Sequence, residues 1–247
     1  MLLSSDNLRG FALHGTDGDV GHVESFLFDE ASWGIRYLVV DTGPFIFGRK
    51  VLLAPPSVSR FSRDRIEVNL AIEQIRNSPS IDTEKPVSRQ MEQELHQYYD
   101  WRYYWDDPAM VPASAVPLPV PEPLSGEEVN DHPYPRSTRE VTGYWVYSGK
   151  DTIGRVDDLI VDTDEWNIPC FVLSRKNNPS GKKVLIGTHQ VTMISWRESA
   201  FKTDITAEVI EESPEFNPHD AVNHRFEEVL YDYYGVPHEV NRSVKLH

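Results

Sequence analysis

The sequence predicts a mainly β (α+β) chain of two small antiparallel β-barrels, each with an appended amphipathic helix, joined by a proline-rich linker. Three observations carry this. The stretch "DGDVGHVESFLFDEASWGIRYLVVDTG" (17–43) returns in looser spelling as "KDTIGRVDDLIVDTDEWNIPCFVLSRK" (150–176). A constant shift of 133 carries Gly21 onto Gly154, Val23 onto Val156, Asp29 onto Asp162, Trp33 onto Trp166, Ile35 onto Ile168 and Val39 onto Val172. Within each copy, short runs alternate apolar and polar residues between turn residues, a strand pattern. Between the copies lies a segment dense in proline.

The alternation places strands near Leu8–His14, Val20–Asp29, Ile35–Asp41, Lys50–Leu53 and Ile66–Leu70 in the first copy. The second copy repeats them near Val141–Tyr147, Ile153–Asp162, Ile168–Ser174, Lys183–Ile186 and Phe201–Ile205. Five or six short strands in ~75 residues bury little as a sandwich but remove their edges by closing into a barrel. Because each copy carries this set, residues 1–105 are expected to fold alone.

Beyond the strands the shift becomes 135, matching Ile75 and Ser78 to Ile210 and Ser213. The helix-like "VSRQMEQELHQYYDW" (87–101) matches "VNHRFEEVLYDYYGV" (222–236). Met91, Leu95, Tyr98 and Tyr99, and with them Phe226, Leu230, Tyr233 and Tyr234, form an i, i+4, i+7, i+8 stripe on one helical face. Each helix is expected to dock on a barrel, its own or its sister. Duplicated small barrels gain from pairing like a fused homodimer, an intramolecular pseudo-dimer with the stripes as its seam, and a homo-oligomer is the related alternative.

Residues 106–140 hold eight of the 18 prolines. Prolines alternating at 117, 119, 121 and 123 favour polyproline II and withhold ladder donors, so the segment is an extended spacer. The expected division is therefore 1–105, 106–140 and 141–247.

The net charge is −15, with the largest share in the linking segments and nearly neutral repeats. Such a balance repels phosphate backbones, so nucleic acid is an unfavourable partner despite Arg60, Arg63 and Arg65. The single cysteine, Cys170, opposite Tyr37 of the first copy, reads as a small buried hydrophobe in a reducing compartment. No stretch approaches the ~20 apolar residues of a membrane span, and the start lacks a signal-peptide pattern. A cytoplasmic location is expected.

Motifs for chemistry are sparse. Asp29 and Asp162 recur at a strand end and read as turn formers capping their own backbone, with Trp33 and Trp166 covering the barrel end. "GPFIFGRK" (43–50) lacks the Lys-Ser/Thr ending of a phosphate loop, and its counterpart "KNNPSGKK" loses the first glycine, so both read as hairpins. "DTDEW" (162–166) lacks the glycine and distal glutamate of a calcium loop. His219 and His224 are five apart and share no helical face. No catalytic residue, cofactor or metal ligand is expected. The aromatic run "YYDWRYYW" offers Tyr98, Tyr99, Trp101, Tyr103, Tyr104 and Trp105, with Tyr233 and Tyr234 in the second copy, for internal packing or for contact with a partner. Asp100, Asp106 and Asp107 argue against base stacking.

The run "DGDVGHVESFLFDEASWGIRYLVVDTG", then "GRKVLLAPPSV", "AIEQIRNSP" and "ELHQYYDWRYYW", resembles the PRC-barrel family, named after the cytoplasmic domain of the photosynthetic reaction centre H subunit. The likeness covers residues 8–105; the second copy, 141–239, keeps Gly154, Asp162, Trp166 and Gly181. The resemblance implies PRC-type barrels serving as a non-enzymatic interaction or assembly module. The implied partner is an unknown protein, with association to a membrane complex through that partner. No segment matches the membrane helix of the reaction-centre subunit. The alternative is a small-molecule binder or enzyme with a site between the barrels, using Asp29, Arg36 and the tyrosines.

Overall fold

The structure is a computed structural model that describes residues 1–43, 49–62, 65–79, 81, 87–106, 135–175, 183–213 and 215–216. In chain order the elements are β1 (Leu2–Ser4), α1 (Ser5–Leu8), β2 (Ala12–Gly15), β3 (Gly18–Phe28), β4 (Ile35–Asp41), β5 (Lys50–Leu53), β6 (Val58–Phe61) and β7 (Arg65–Val68). There follow α2 (Ile72–Arg76), α3 (Arg89–Tyr99), β8 (Arg136–Ser137), α4 (Thr138–Val141), β9 (Trp145–Ser148) and β10 (Asp151–Asp162). The last are β11 (Asn167–Arg175), β12 (Lys183–Gly187), β13 (Val191–Ser195), β14 (Ala200–Thr203) and α5 (Ala207–Glu212).

The chain is mainly β and forms two compact units, one of residues 9–137 and one of residues 1–8 with 138–247. The first-repeat unit carries a seven-stranded sheet of order β5-β4-β3-β2-β7-β6, with β8 paired to β3. The second-repeat unit has the corresponding order β12-β11-β10-β9-β14-β13, with β1 paired to β10. Neighbours are antiparallel except β2 with β7 and β9 with β14, which are parallel, so the expected all-antiparallel pairing is corrected. An odd number of reversals separates antiparallel neighbours; the chain reaches β7 after an even number and arrives running with β2. Among the described residues the ladder is not joined between β5 and β6, or between β12 and β13.

The seventh strand of each sheet comes from the stretch that precedes the other repeat. Ser4 lies opposite Ile160 and Leu3 opposite Val161; Ser137 lies opposite Leu27 and Arg136 opposite Phe28. The shift of 133 converts one set into the other, so both arms are seated in the same register. The β1 arm is also held by side chains of β10. Asp158 accepts from the Ser4 hydroxyl, from Ser5 Oγ at 2.6 Å and from the Asp6 amide at 3.3 Å. Neither arm was anticipated, and the strand set of residues 1–105 is therefore incomplete by one. The expected ends at 105 and 141 give way to crossings at 8–9 and 137–138. Residues 107–134, most of the proline-rich segment, lie outside the description. Their flanks both belong to the first-repeat unit, so the segment joins α3 to the seventh strand of its own sheet rather than one unit to the other.

Two expected strands start late. Leu8 and Val141 end short helices, and Gly10 (φ 87°) and Gly143 (φ 90°) turn the chain through the left-handed region before β2 and β9. Strands β6 and β13 were not expected, because Val58–Phe61 and Val191–Ser195 carry partly or fully exposed polar residues instead of a clean alternation.

The landmark glycines have a packing cause. A Cβ on Gly21 (φ 153°) would sit 2.1 Å from the Asp41 carbonyl oxygen, and one on Gly154 would sit 2.3 Å from that of Ser174. In both units the long strand touches its neighbour there with no room for a side chain.

Residues Ile35–Val40 of β4 and Ile168–Leu173 of β11 are buried without interruption, which requires cover on both faces of each strand. On one face of the first-repeat sheet Leu27, Tyr37, Val39 and Leu52 pack with Ala54, Val87 and Leu95, so α3 is the cover. On the equivalent face of the other sheet Ile160, Cys170, Val172 and Leu185 pack with Leu2 and Phe216, so the β1 arm contributes the cover.

Candidate functional site

The densest assembly of polar and aromatic side chains lies where α3 meets β4. The helix begins at Ser88, whose hydroxyl accepts from the Met91 amide at 3.3 Å, and ends at Asp100, which takes the left-handed conformation (φ 56°). That stop turns the chain back, so residues 101–106 run beside the helix. The Trp101 amide donates to the His96 carbonyl at 2.9 Å.

The expected stripe is partly redirected. Leu95 is buried, while Met91, Tyr99 and Trp101 pack against the Leu27–Tyr37–Val39–Leu52 face. Tyr99 and Trp101 stack with centroids 4.3 Å apart. Burial pushes the Tyr99 hydroxyl up to about 12. Tyr98 stands 41% exposed and donates to the Gln74 carbonyl at 2.7 Å. Tyr103 stacks on Trp105 (4.7 Å), and Tyr104 meets Trp105 edge-on (4.8 Å). The stripe of α3 thus packs on its own unit, one of the two docking sites expected for it. Tyr233 and Tyr234 lie outside the described residues.

Beneath the aromatics is a polar row that the stripe did not reveal. Tyr37 Oη, fully buried on β4, lies 3.0 Å from Glu92 Oε1 and 2.9 Å from His96 Nε2. Tyr104 donates to Glu92 Oε1 at 2.8 Å, and Arg89 lies 3.2 Å from Glu92 Oε2. His96 Nδ1 lies 2.9 Å from the Arg102 carbonyl oxygen. The Arg36 guanidinium covers the Tyr104 ring at 4.1 Å, and that of Arg89 covers Trp105 at 4.1 Å. Burial raises the Glu92 carboxyl above its ordinary value, against the hydroxyl and guanidinium donors that lower it. Burial likewise holds the His96 imidazole below its ordinary value and pushes the Tyr37 and Tyr104 hydroxyls well up.

Glu92 and His96 follow Met91 and Leu95 by one residue each, and that spacing was the available signal: a Glu and a His at i, i+4 beside an apolar stripe share its buried edge. The row has no twin under the repeat shifts, because the residue equivalent to Tyr37 is Cys170.

Asp29 Oδ1 accepts from the amides of Ala31 (3.2 Å) and Ser32 (2.8 Å) and from the Ser32 hydroxyl (2.8 Å), a turn aspartate. Asp162 does the same for the Asp164 amide at 2.9 Å. Trp33 (φ 57°) and Trp166 (φ 53°) occupy the same left-handed turn position, and Trp33 stacks on Phe28 at 5.3 Å. Arg36 lies 3.8 Å from Asp29, so Asp29, Arg36 and Tyr104 are near one another within one unit, with the aspartate occupied by its turn. In the second-repeat unit a cavity of about 420 Å³ is lined by residues including Trp145, Arg155, Asp157 and Arg175, and Arg155 covers the Trp145 ring at 3.7 Å. Among the described residues no group of three or more His, Cys, Asp or Glu is placed to hold a metal ion, and no helix is long and apolar enough to cross a membrane.

No protein-family model matches the chain, and no curated protein sequence matches it.

Proposed function

We propose that the chain is a non-enzymatic interaction and assembly module built of two PRC-barrel-like units, each sheet closing into a small barrel. The observation that carries this reading is the seventh strand. Each sheet is completed by strand addition from sequence belonging to the other repeat, which is one of the general ways by which proteins recognise extended partners. The same register at both seats is what a fused pair of identical, arm-exchanging subunits would leave behind. On this reading Tyr98, the exposed member of the aromatic run, and the rim of Tyr103 and Trp105 are the contact residues in the first unit, and the partner is a protein. Association with a membrane complex goes through that partner, in the cytoplasm.

The test is purification of the full chain from its native host under mild cross-linking, with identification of what is bound and where. A defined protein partner linked to the α3–Trp105 segment supports the proposal. A tightly held small molecule, with no protein partner, contradicts it and favours the binder reading.

A further inference from the structure

Glu92 Oε1, Tyr37 Oη and His96 Nε2 lie in a row with contacts of 3.0 and 2.9 Å, and the three residues are at most 4% exposed. Each contact needs one hydrogen between its two heteroatoms, so the row needs two. The Tyr37 hydroxyl supplies one. His96 does not supply the second while neutral, because its Nδ1 faces the Arg102 carbonyl oxygen at 2.9 Å, an acceptor only, and therefore carries the ring's hydrogen itself. An ionised Glu92 has none to give. With no further proton, one contact would set two lone pairs against each other in a buried site, an arrangement that costs the desolvation of an unpaired polar group.

We infer that Glu92, Tyr37 and His96 hold one proton in common, and that this proton latches α3 and the aromatic segment to β4. The proton has two resting places with the same count. In one, Glu92 is a neutral acid donating to Tyr37, which donates to a neutral His96. In the other, an imidazolium donates to Tyr37, which donates to a carboxylate; one concerted shift of both hydrogens along the row interconverts them. The remaining contacts are compatible with the first form. The acid's Oε1 still accepts from Tyr104, and Oε2 still accepts from Arg89. The directions of the two titrations agree with it, Glu92 being raised and His96 lowered by burial. The groups facing the row are Arg36 from β4, Arg89 from α3, and Tyr103 and Tyr104 from the following segment. Arg89 disfavours an imidazolium at His96, while both arginines favour a carboxylate at Glu92, so their charges do not select between the two forms.

The linkage has a definite sign. Unfolded, the Glu–His pair binds two protons below the ordinary glutamate value of 4.5, one between 4.5 and 6.5, and none above the ordinary histidine value of 6.5. Folded, the row holds the one shared proton across this range. Stability of the first-repeat unit from this source is therefore greatest between 4.5 and 6.5. Above 6.5 the folded state holds one more proton than the unfolded, and the folding constant falls tenfold per pH unit until the shared proton leaves. Its loss releases the latch on the aromatic segment.

The experiment uses the full chain. Nuclear magnetic resonance of the Glu92 carboxyl and the His96 ring at pH 6 is expected to show an acid beside a neutral imidazole, or a carboxylate beside an imidazolium; a carboxylate beside a neutral imidazole overturns the inference. Urea unfolding followed on α3 amides, from pH 6 to 9, adds a second reading. Glu92→Gln places an uncharged amide donor where the acid was, so it should fold and should not show the loss per pH unit seen in the parent above pH 6.5. Parallel profiles for parent and variant overturn the inference. If Glu92→Gln fails to fold, Tyr37→Phe, which breaks the row and keeps both titrating groups, should give separate titrations of Glu92 and His96, and a joint titration would overturn it.

Discussion

Ser4 pairs with Ile160, and under the shift of 133 this is the same pairing as Ser137 with Leu27. A stretch in front of each repeat thus completes the sheet of the other. The arms are short, but Leu2 is buried among Ile160, Cys170, Val172, Leu185 and Phe216, so apolar cover as well as backbone pairing holds the first arm.

Residues 9–137, rather than 1–105, are the piece of the first repeat expected to fold on its own. The longer piece keeps β8 on β3, whereas 1–105 loses β8 and carries a β1 without its seat. Calorimetry should give one sharp transition for 9–137 and a lower, broader one for 1–105. Equal melting would show that β8 contributes nothing.

Gly21→Ala should cost about 2–4 kcal/mol, since its Cβ would meet the backbone of Asp41 at 2.1 Å and adopt a φ that side chains avoid. Gly10→Ala meets nothing within 4 Å, so only the left-handed conformation is penalised, by about 1 kcal/mol. Urea midpoints of the two variants check the ordering.

Tyr99→Ala should destabilise the first-repeat unit by about 2–3 kcal/mol through lost packing on Trp101 and the sheet. The second-repeat unit should be unaffected, which hydrogen exchange resolved by residue distinguishes. Equal loss in both units would restore the stripe as a seam.

Deleting Ala109–Pro123 shortens a loop whose two ends belong to one unit. Halving such a loop changes closure entropy by about 0.6 kcal/mol in favour of the folded state, so the melting temperature should stay level or rise slightly. A large fall would mean the prolines pack.

Strands β4 and β5 were read with their observed ends, because unbroken apolar runs between turn residues leave little choice. The apolar stripe of Met91, Leu95, Tyr98 and Tyr99 announced α3 within the stretch 87–101. The arms were illegible: Leu2-Leu3-Ser4 and Arg136-Ser137 are three and two residues long, share only a serine, and take their strand character from a partner far along the chain. The polar row was legible only in part. The i, i+4 spacing of Glu92 and His96 marks a shared edge of the helix, but only the folded sheet places Tyr37 between them. The tyrosines were visible as a cluster, but whether each faces core or solvent depended on the left-handed stop at Asp100.

The exchange of arms is tested most directly by through-space proton contacts in solution. The account predicts cross-strand contacts of residues 2–4 with 160–162 and of residues 136–137 with 27–28. Contacts of residues 2–4 with 27–29 instead, each arm lying on its own repeat, would contradict it.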